Sequence, residues 1–237
     1  VLLVLDDVWS TSHASALNFV HGSDLRSAVV ITTRMRNLLD GASEVACGVL
    51  STEASLELLL RAGGCEHLLE SPPPPAAALE AIELCGRLPL ALGIAGGVIA
   101  EMADMWQEEL VPLLGGAYFD DASVEERVVS VTLRIVPEAM RPGIKGLFSL
   151  FGVFAEDSTV PVVVIDLLAP YMPGSDSVRQ EATNKRQVRK WLQHLLKANV
   201  LHGSIECGVS VHDLVRDIMI RRAEAASEGG YCAMQRE

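Results

Sequence analysis

Five aliphatic residues, Val1–Leu5, run without interruption into the acid pair Asp6-Asp7, and the stretch closes as Val8-Trp9-Ser10. Apolar residues at every position, rather than at alternate ones, describe a strand covered on both faces, as in a parallel sheet. Open sheets of that kind bind ligands beyond the C-terminal ends of their strands. Two carboxylates placed there are costly to desolvate without a compensating charge, and Mg²⁺ is the usual one. A core strand with solvated acids at its exit is the plainer alternative. The sequence opens without Met and in mid-strand, as expected of a piece of a longer protein.

With 237 residues, 49% of them hydrophobic, the chain has room for one large domain or two to three small ones, each with a core. Its net charge of -12 would repel phosphate backbones, so nucleic acid is a disfavoured partner. Cys47, Cys65, Cys85, Cys207 and Cys232 are scattered and form no C-x-x-C pair. That pattern fits neither a disulfide framework nor a zinc site, and points to a reducing, cytoplasmic setting. The longest uncharged apolar run, Leu88–Ala100, is too short for a membrane span.

A second β-branched run, Ser27–Arg34 (SAVVITTR), follows a short helical stretch at Ser12–Asn18, and the pair reads as a β-α-β unit with parallel strands. Val45–Leu50 reads as a third, weaker strand, and Glu53–Ala62 as a helix capped by Ser51 or Thr52 and closed by Gly63-Gly64. Ser71 and the prolines Pro72–Pro75 cannot be helix or central strand, and mark a boundary. Helices are expected at Ala76–Cys85, Pro89–Met102, Met105–Leu114 and Val124–Ile135. Gly93, Gly96 and Gly97 each cost the second of these about 1 kcal/mol against Ala, which close backbone packing would offset. Ile144, Leu147, Phe148 and Phe151 share one helical face, and a second helix covers Val160–Leu168. Gly174–Lys185 reads as a polar loop. Val188, Trp191, Leu192, Leu195 and Leu196 then form an apolar stripe. Val200–Ile205 and Val209–Val211 flank a glycine-containing turn, a hairpin signal. A last helix is expected at Asp213–Ala226, with Asp213 as its N-cap. Three helices followed by a hairpin is the element order of a winged helix.

Several short motifs then line up in order. Leu2–Trp9 (LLVLDDVW) resembles the Walker B strand of the NB-ARC family of signalling nucleotide switches. Val30–Arg34 (VITTR) resembles its sensor-1 strand, Arg87–Leu92 (RLPLAL) its Gly-Leu-Pro-Leu-Ala motif, and Val211–Asp213 (VHD) its Met-His-Asp motif. Phe151–Asp157 (FGVFAED) resembles a phrase of the family's winged helix.

The resemblance implies the C-terminal part of an α/β P-loop NTPase domain with a parallel sheet (1–70), an α-helical subdomain (71–138), a winged-helix subdomain (139–226) and a polar tail (227–237). It implies ADP or ATP with Mg²⁺ as ligands. Asp6 would hold the metal, and Asp7 would orient or deprotonate an attacking water. Arg34 would grip the γ-phosphate, with Thr33 or Thr32 donating hydroxyls nearby. Pro89 and Leu90 would pack on the adenine, and His212 would contact the β-phosphate of ADP and lock the resting state. The plainer alternatives are a surface ion pair for Arg34, a helix-start proline at Pro89 and a hydrogen-bonded histidine at 212. Arg87 stands where the family usually has Gly, and Val211 where it has Met. No G-x-x-x-x-G-K-[ST] phosphate loop occurs in the sequence, so the loop is expected upstream of Val1 and nucleotide binding by this chain alone is expected to be weak. Slow ATP hydrolysis, self-oligomerisation on activation, an upstream effector domain and a downstream repeat domain complete what the resemblance implies. A winged-helix DNA-binding regulator is the alternative, carried by Lys185, Arg186, Arg189, Lys190 and Lys197.

Overall fold

The computed structural model describes residues 1–20, 26–116, 122–156 and 158–226. Asp157 of the FGVFAED phrase, Cys232 and the expected tail at 227–237 lie outside the described residues. The chain divides into two compact units, Val1–Gly48 and Val49–Glu237.

In the first unit, β1 (Leu2–Leu5), α1 (Thr11–Leu17) and β2 (Ala28–Ile31) form the expected β-α-β unit. The strands are parallel, with Leu2 opposite Ala28 and Leu5 opposite Ile31. Ser10 caps α1, its hydroxyl accepting the His13 N–H at 3.2 Å. Leu5 and Val8 pack with Ala14 and Leu38, while Leu2 and Val4 remain 64% and 56% exposed. The expectation of a strand buried on both faces is thus corrected. In this unit α1 covers one face of the pair, and the apolar run supplies an uncovered face as well as a covered one.

Val45–Leu50 is not a strand. Val45 is exposed, and Leu50 donates its N–H to the Arg87 carbonyl (3.1 Å) instead of to a ladder.

The second unit is almost entirely helical. In chain order it comprises α2 (Thr52–Ala62), α3 (Ala76–Leu84), α4 (Pro89–Met102), α5 (Trp106–Leu114), α6 (Val124–Ile135), α7 (Arg141–Leu150), α8 (Val162–Leu168), α9 (Asp176–Ala182) and α10 (Lys185–Lys197). The hairpin β3 (Leu201–Ser204) and β4 (Gly208–Val211) follows, and α11 (Asp213–Ala226) closes it.

Helix α4 is the centre of this unit. It is apolar on all sides, as a helix surrounded by others must be, and Ala91, Leu92, Ile94, Ala95, Val98 and Ile99 are all buried. It packs against α2, α5, α6 and α10. A Cβ at Gly96 would lie 2.9 Å from the Leu59 carbonyl oxygen of α2 and one at Gly97 2.5 Å from the Ala198 carbonyl carbon, so the expected close approach is present at these two glycines, whereas a Cβ at Gly93 would meet nothing within 4 Å. Because α2 packs on α4 across the proline run, the compact unit begins at Val49, ahead of the boundary that Pro72–Pro75 suggests.

On α10 the apolar stripe is buried as its spacing predicts: Val188, Trp191, Leu192 and Leu195 face inward. Trp191 is fully buried and lies against Gly143 of α7, where a Cβ would collide with the indole ring. The stretch Gly174–Lys185 is corrected from loop to helix over Asp176–Ala182. Val178 and Ala182, four residues apart, are buried, and two such anchors suffice to dock a short polar helix. Strands β3 and β4 are antiparallel, with Leu201 opposite Val211, and Val160 adds a bridge to Val209. Among the described residues, no helix is long and apolar enough to cross a membrane.

Candidate functional site

The polar residues at the end of the parallel pair form one cluster. Asp6 and Asp7 leave β1 just as Thr32, Thr33 and Arg34 leave β2. The Thr32 hydroxyl donates to Asp6 Oδ1 in a short hydrogen bond and accepts the Asp7 N–H at 2.8 Å. Asp7 has φ +50°, a left-handed conformation that aspartate tolerates better than most residues. Its Oδ2 accepts the Trp9 indole N–H at 2.8 Å, and Arg34 Nε lies 3.9 Å from its Oδ1. The Arg34 guanidinium stands over the Trp9 ring, 5.1 Å from its centroid, in cation–π geometry.

The sequence-predicted residues Asp6, Asp7 and Arg34 are therefore brought together by a short network that Thr32 and Trp9 organise. Thr33 is occupied elsewhere: its hydroxyl donates to the Val8 carbonyl (2.6 Å) and accepts the Met35 N–H (3.0 Å). The role of Trp9 was missed in sequence; its signal was an indole two residues from a carboxylate. The cluster offers oxygen donors only, two carboxylates and a hydroxyl, which is the donor set Mg²⁺ takes when phosphate and water fill its remaining positions. Among the described residues no group of three or more His, Cys, Asp and Glu converges on a metal position.

Pro89, Leu90 and His212 belong to the second unit. Pro89 is the first residue of α4 and is exposed, while Leu90 is half-buried. A proline there gives up no hydrogen bond, since the first N–H groups of a helix have no internal partner. The turn before it holds two successive left-handed residues, Gly86 (φ +59°) and Arg87 (φ +54°). The backbone at Arg87 is thus of the left-handed kind that favours glycine.

His212 is exposed and leads α11. Its carbonyl accepts the Arg216 N–H (2.9 Å), and its Nδ1 accepts the Leu214 N–H (3.2 Å). The N-cap is therefore His212, and the expectation of Asp213 in that place is corrected. Asp213 occupies the first helical position, where its charge suits the helix dipole. Accepting at Nδ1 leaves the ring proton on Nε2, so the imidazole presents a donor on its outer side. His202, on the neighbouring strand, has its pKa lowered by burial and by the nearby His212 charge.

One further contact ties two motifs together. Arg216 Nε donates to the Phe154 carbonyl at 2.7 Å, and its Nη1 lies 3.4 Å from Glu156 Oε1. The FGVFAED phrase and the helix led by VHD meet through this guanidinium.

Similarity to known proteins covers most of the chain. The relatives are plant disease-resistance proteins and an apoptotic factor, consistent with the NB-ARC resemblance that the ordered motifs carry. It is 25% identical over 233 residues to the disease resistance RPP13-like protein 3 of Arabidopsis thaliana, covering 94% of this chain and 27% of that protein. It is 25% identical over 169 residues to the late blight resistance protein homolog R1B-8 of Solanum demissum, 68% of this chain and 13% of that protein. To apoptotic protease-activating factor 1 of Danio rerio it is 26% identical over 199 residues, 78% of this chain and 14% of that protein. The chain spans about a quarter of the length of the first of these relatives. No family model matches the sequence.

Proposed function

We propose that the chain is part of an ADP/ATP-binding switch that controls activation and self-oligomerisation of a cytoplasmic signalling or defence protein. The observation that carries this reading is the cluster of Asp6, Asp7 and Arg34 at the C-terminal edge of a parallel strand pair. Disease resistance and apoptosis are what the relatives' names describe, and both call for a protein that stays off until triggered.

In this reading Asp6, steadied by Thr32, holds Mg²⁺, and Asp7 orients a water or takes its proton. The ion, when bound, supplies charge neutralisation to phosphate oxygens. Arg34 reads the γ-phosphate, for which a planar, permanently charged fork is suited. Pro89 and Leu90 lie against the adenine, and His212 offers its Nε2–H to the β-phosphate of ADP. The segment from α7 through β4 serves as a winged helix, following a helical subdomain built on α4. Exchange for ATP would release His212 and favour the open, oligomerising state. A ligand shifts such an equilibrium only by its differential affinity, and about 5.5 kcal/mol takes it from 1:99 to 99:1. The phosphate loop, the effector domain and the repeat domain belong, in this proposal, to a longer protein of which the chain is one segment.

The DNA-binding alternative is less well supported. Of its five cations, Arg189 pairs with the buried Asp166 (3.6 Å) and Lys197 with Glu101 (3.8 Å), so both already serve the fold.

The test is the nucleotide carried by the purified longer protein. Removing a charge-assisted hydrogen bond costs about 1.5–3 kcal/mol, so His212→Ala should lose bound ADP about 10- to 100-fold faster. Size-exclusion chromatography should show it shifting toward oligomers. ADP retention equal to wild type would overturn the lock.

A further inference from the structure

Three residues of α4, spaced by four, each meet one of three consecutive residues at the end of α10. Gly93 accepts, at its carbonyl, the Asn199 side-chain N–H at 2.9 Å. Gly97 lies so close to Ala198 that a Cβ there would stand 2.5 Å from the Ala198 carbonyl carbon and 2.6 Å from its Cα. Glu101 pairs with Lys197 at 3.8 Å. Residues four apart share a helix face, so Gly93, Gly97 and Glu101 form one track, and Pro89 begins it.

The residue at 199 is informative. Asn199 has φ +54° and follows the α10 C-cap; its N–H donates to the Leu196 carbonyl and the Val200 N–H to the Leu195 carbonyl, both at 3.0 Å. That is a Schellman ending, for which glycine is the ordinary choice. Asparagine tolerates the same backbone and adds a donor, and here that donor spans 106 residues of sequence to reach α4. Gly97 is buried in mid-helix, where alanine would serve propensity better; Ala198 explains why it is glycine.

The hairpin starts two residues beyond Asn199. Because Leu201 stands opposite Val211, the end of β3 fixed by this contact lies beside the end of β4 from which His212 emerges. We infer that the track Gly93–Gly97–Glu101, engaged by Lys197, Ala198 and Asn199, is a positioning latch that sets the spacing between Pro89 and His212. Asn199 and Gly97 are positioning residues and touch no ligand. The inference rests on reading Pro89 and His212 as nucleotide contacts, and it adds the device that makes them act as a pair.

Asn199→Gly is the discriminating variant, because it keeps the left-handed cap and deletes only the side-chain donor. Amide hydrogen exchange of the 237-residue chain should show the β3–β4 amides and the Leu214 amide exchanging about tenfold faster. The α3 amides, in a helix that packs on α2 and α5 rather than on the latch, should be unchanged and thereby exclude a global loss of stability. Gly97→Ala, which wedges α4 off Ala198, should produce the same pattern more strongly. In the longer protein, Asn199→Gly should shorten ADP retention in the direction of His212→Ala, and to a smaller extent. Unchanged hairpin exchange in both variants would sink the latch. Faster hairpin exchange with shortened retention in His212→Ala but not in Asn199→Gly would sink its positioning role. Retention unchanged in both Asn199→Gly and His212→Ala would overturn the nucleotide reading and with it the positioning role, while faster hairpin exchange would leave the contact itself standing.

Discussion

At the β1–β2 edge the contacts of Asp6, Asp7 and Arg34 join exposed groups, whereas α4 meets the end of α10 where the backbones of Gly97 and Ala198 touch. The first region holds Asp6, Asp7 and Arg34 with a few hydrogen bonds, an ion pair at 3.9 Å and a ring face. Exposed ion pairs are worth about 0–1 kcal/mol, so such an arrangement adapts readily to an arriving charge. The second region is specified by shape: Gly97 on Ala198 and Gly143 on Trp191 leave no space for even one added methyl. An exposed polar cluster and a close-packed backbone contact thus have different tolerance to substitution.

The largest expected effect lies in the second region. Trp191→Ala removes a fully buried indole from the junction of α10 and α7 and should cost about 3–5 kcal/mol, read as a drop in the urea midpoint. A loss below about 1 kcal/mol would mean that the packed region is softer than its geometry says. The corresponding change at the β1–β2 edge is Thr32→Val, which keeps the shape and deletes one hydroxyl. It should cost only about 0.5–1.5 kcal/mol, and should be visible as faster exchange of the Asp7 amide, which now donates to that hydroxyl.

Between these two sensitivities lies the reason that parts of the molecule were legible in sequence. Helices α6 and α10 were readable because their buried residues repeat at helical spacing; the structure adds their caps, Ser123 and Asn184, whose side chains accept N–H groups. The place of the acid pair at a strand end was readable because an unbroken aliphatic run leads directly into it. What failed was decided by partners distant in sequence. Leu50 looked like strand until the Arg87 carbonyl took its N–H. Asp213 looked like a cap because aspartate usually is one, and His212 took the position through Nδ1. The face of β1 bearing Leu2 and Val4 could not be told from its covered face, because an unbroken apolar run carries no alternation. The pairing of Asn199 with Gly93 has no local signal at all.

A smaller effect tests the turn before α4. Arg87 holds φ +54°, and its guanidinium gains only a surface pair with Glu83, at 3.8 Å. Arg87→Gly relieves a left-handed backbone worth about 1–2 kcal/mol and gives up a pair worth about 0.3–0.5 kcal/mol. The added chain entropy of glycine in the unfolded state offsets part of the gain. The net expectation is a stabilisation of about 0.5 kcal/mol, measured by chemical denaturation; a destabilised variant would show that the arginine side chain is held by more than Glu83.

The smallest effect is the dependence on pH that the hairpin contributes. Burial, and then the charge of His212, lowers the pKa of His202 in the folded chain below its ordinary value. The unfolded chain therefore binds more protons than the folded one at mildly acidic pH, and stability rises with pH. His202 contributes fully above its unfolded pKa of about 6.5, and the contribution is lost as the pH falls through that value toward the lower folded one. The residue is only partly buried, so the change is modest, and it is isolated by difference. The urea midpoint of wild type should fall more than that of His202→Gln between about pH 7.5 and 5.5. Equal slopes for the two proteins would show that His202 is too well solvated to feel either its burial or the neighbouring His212.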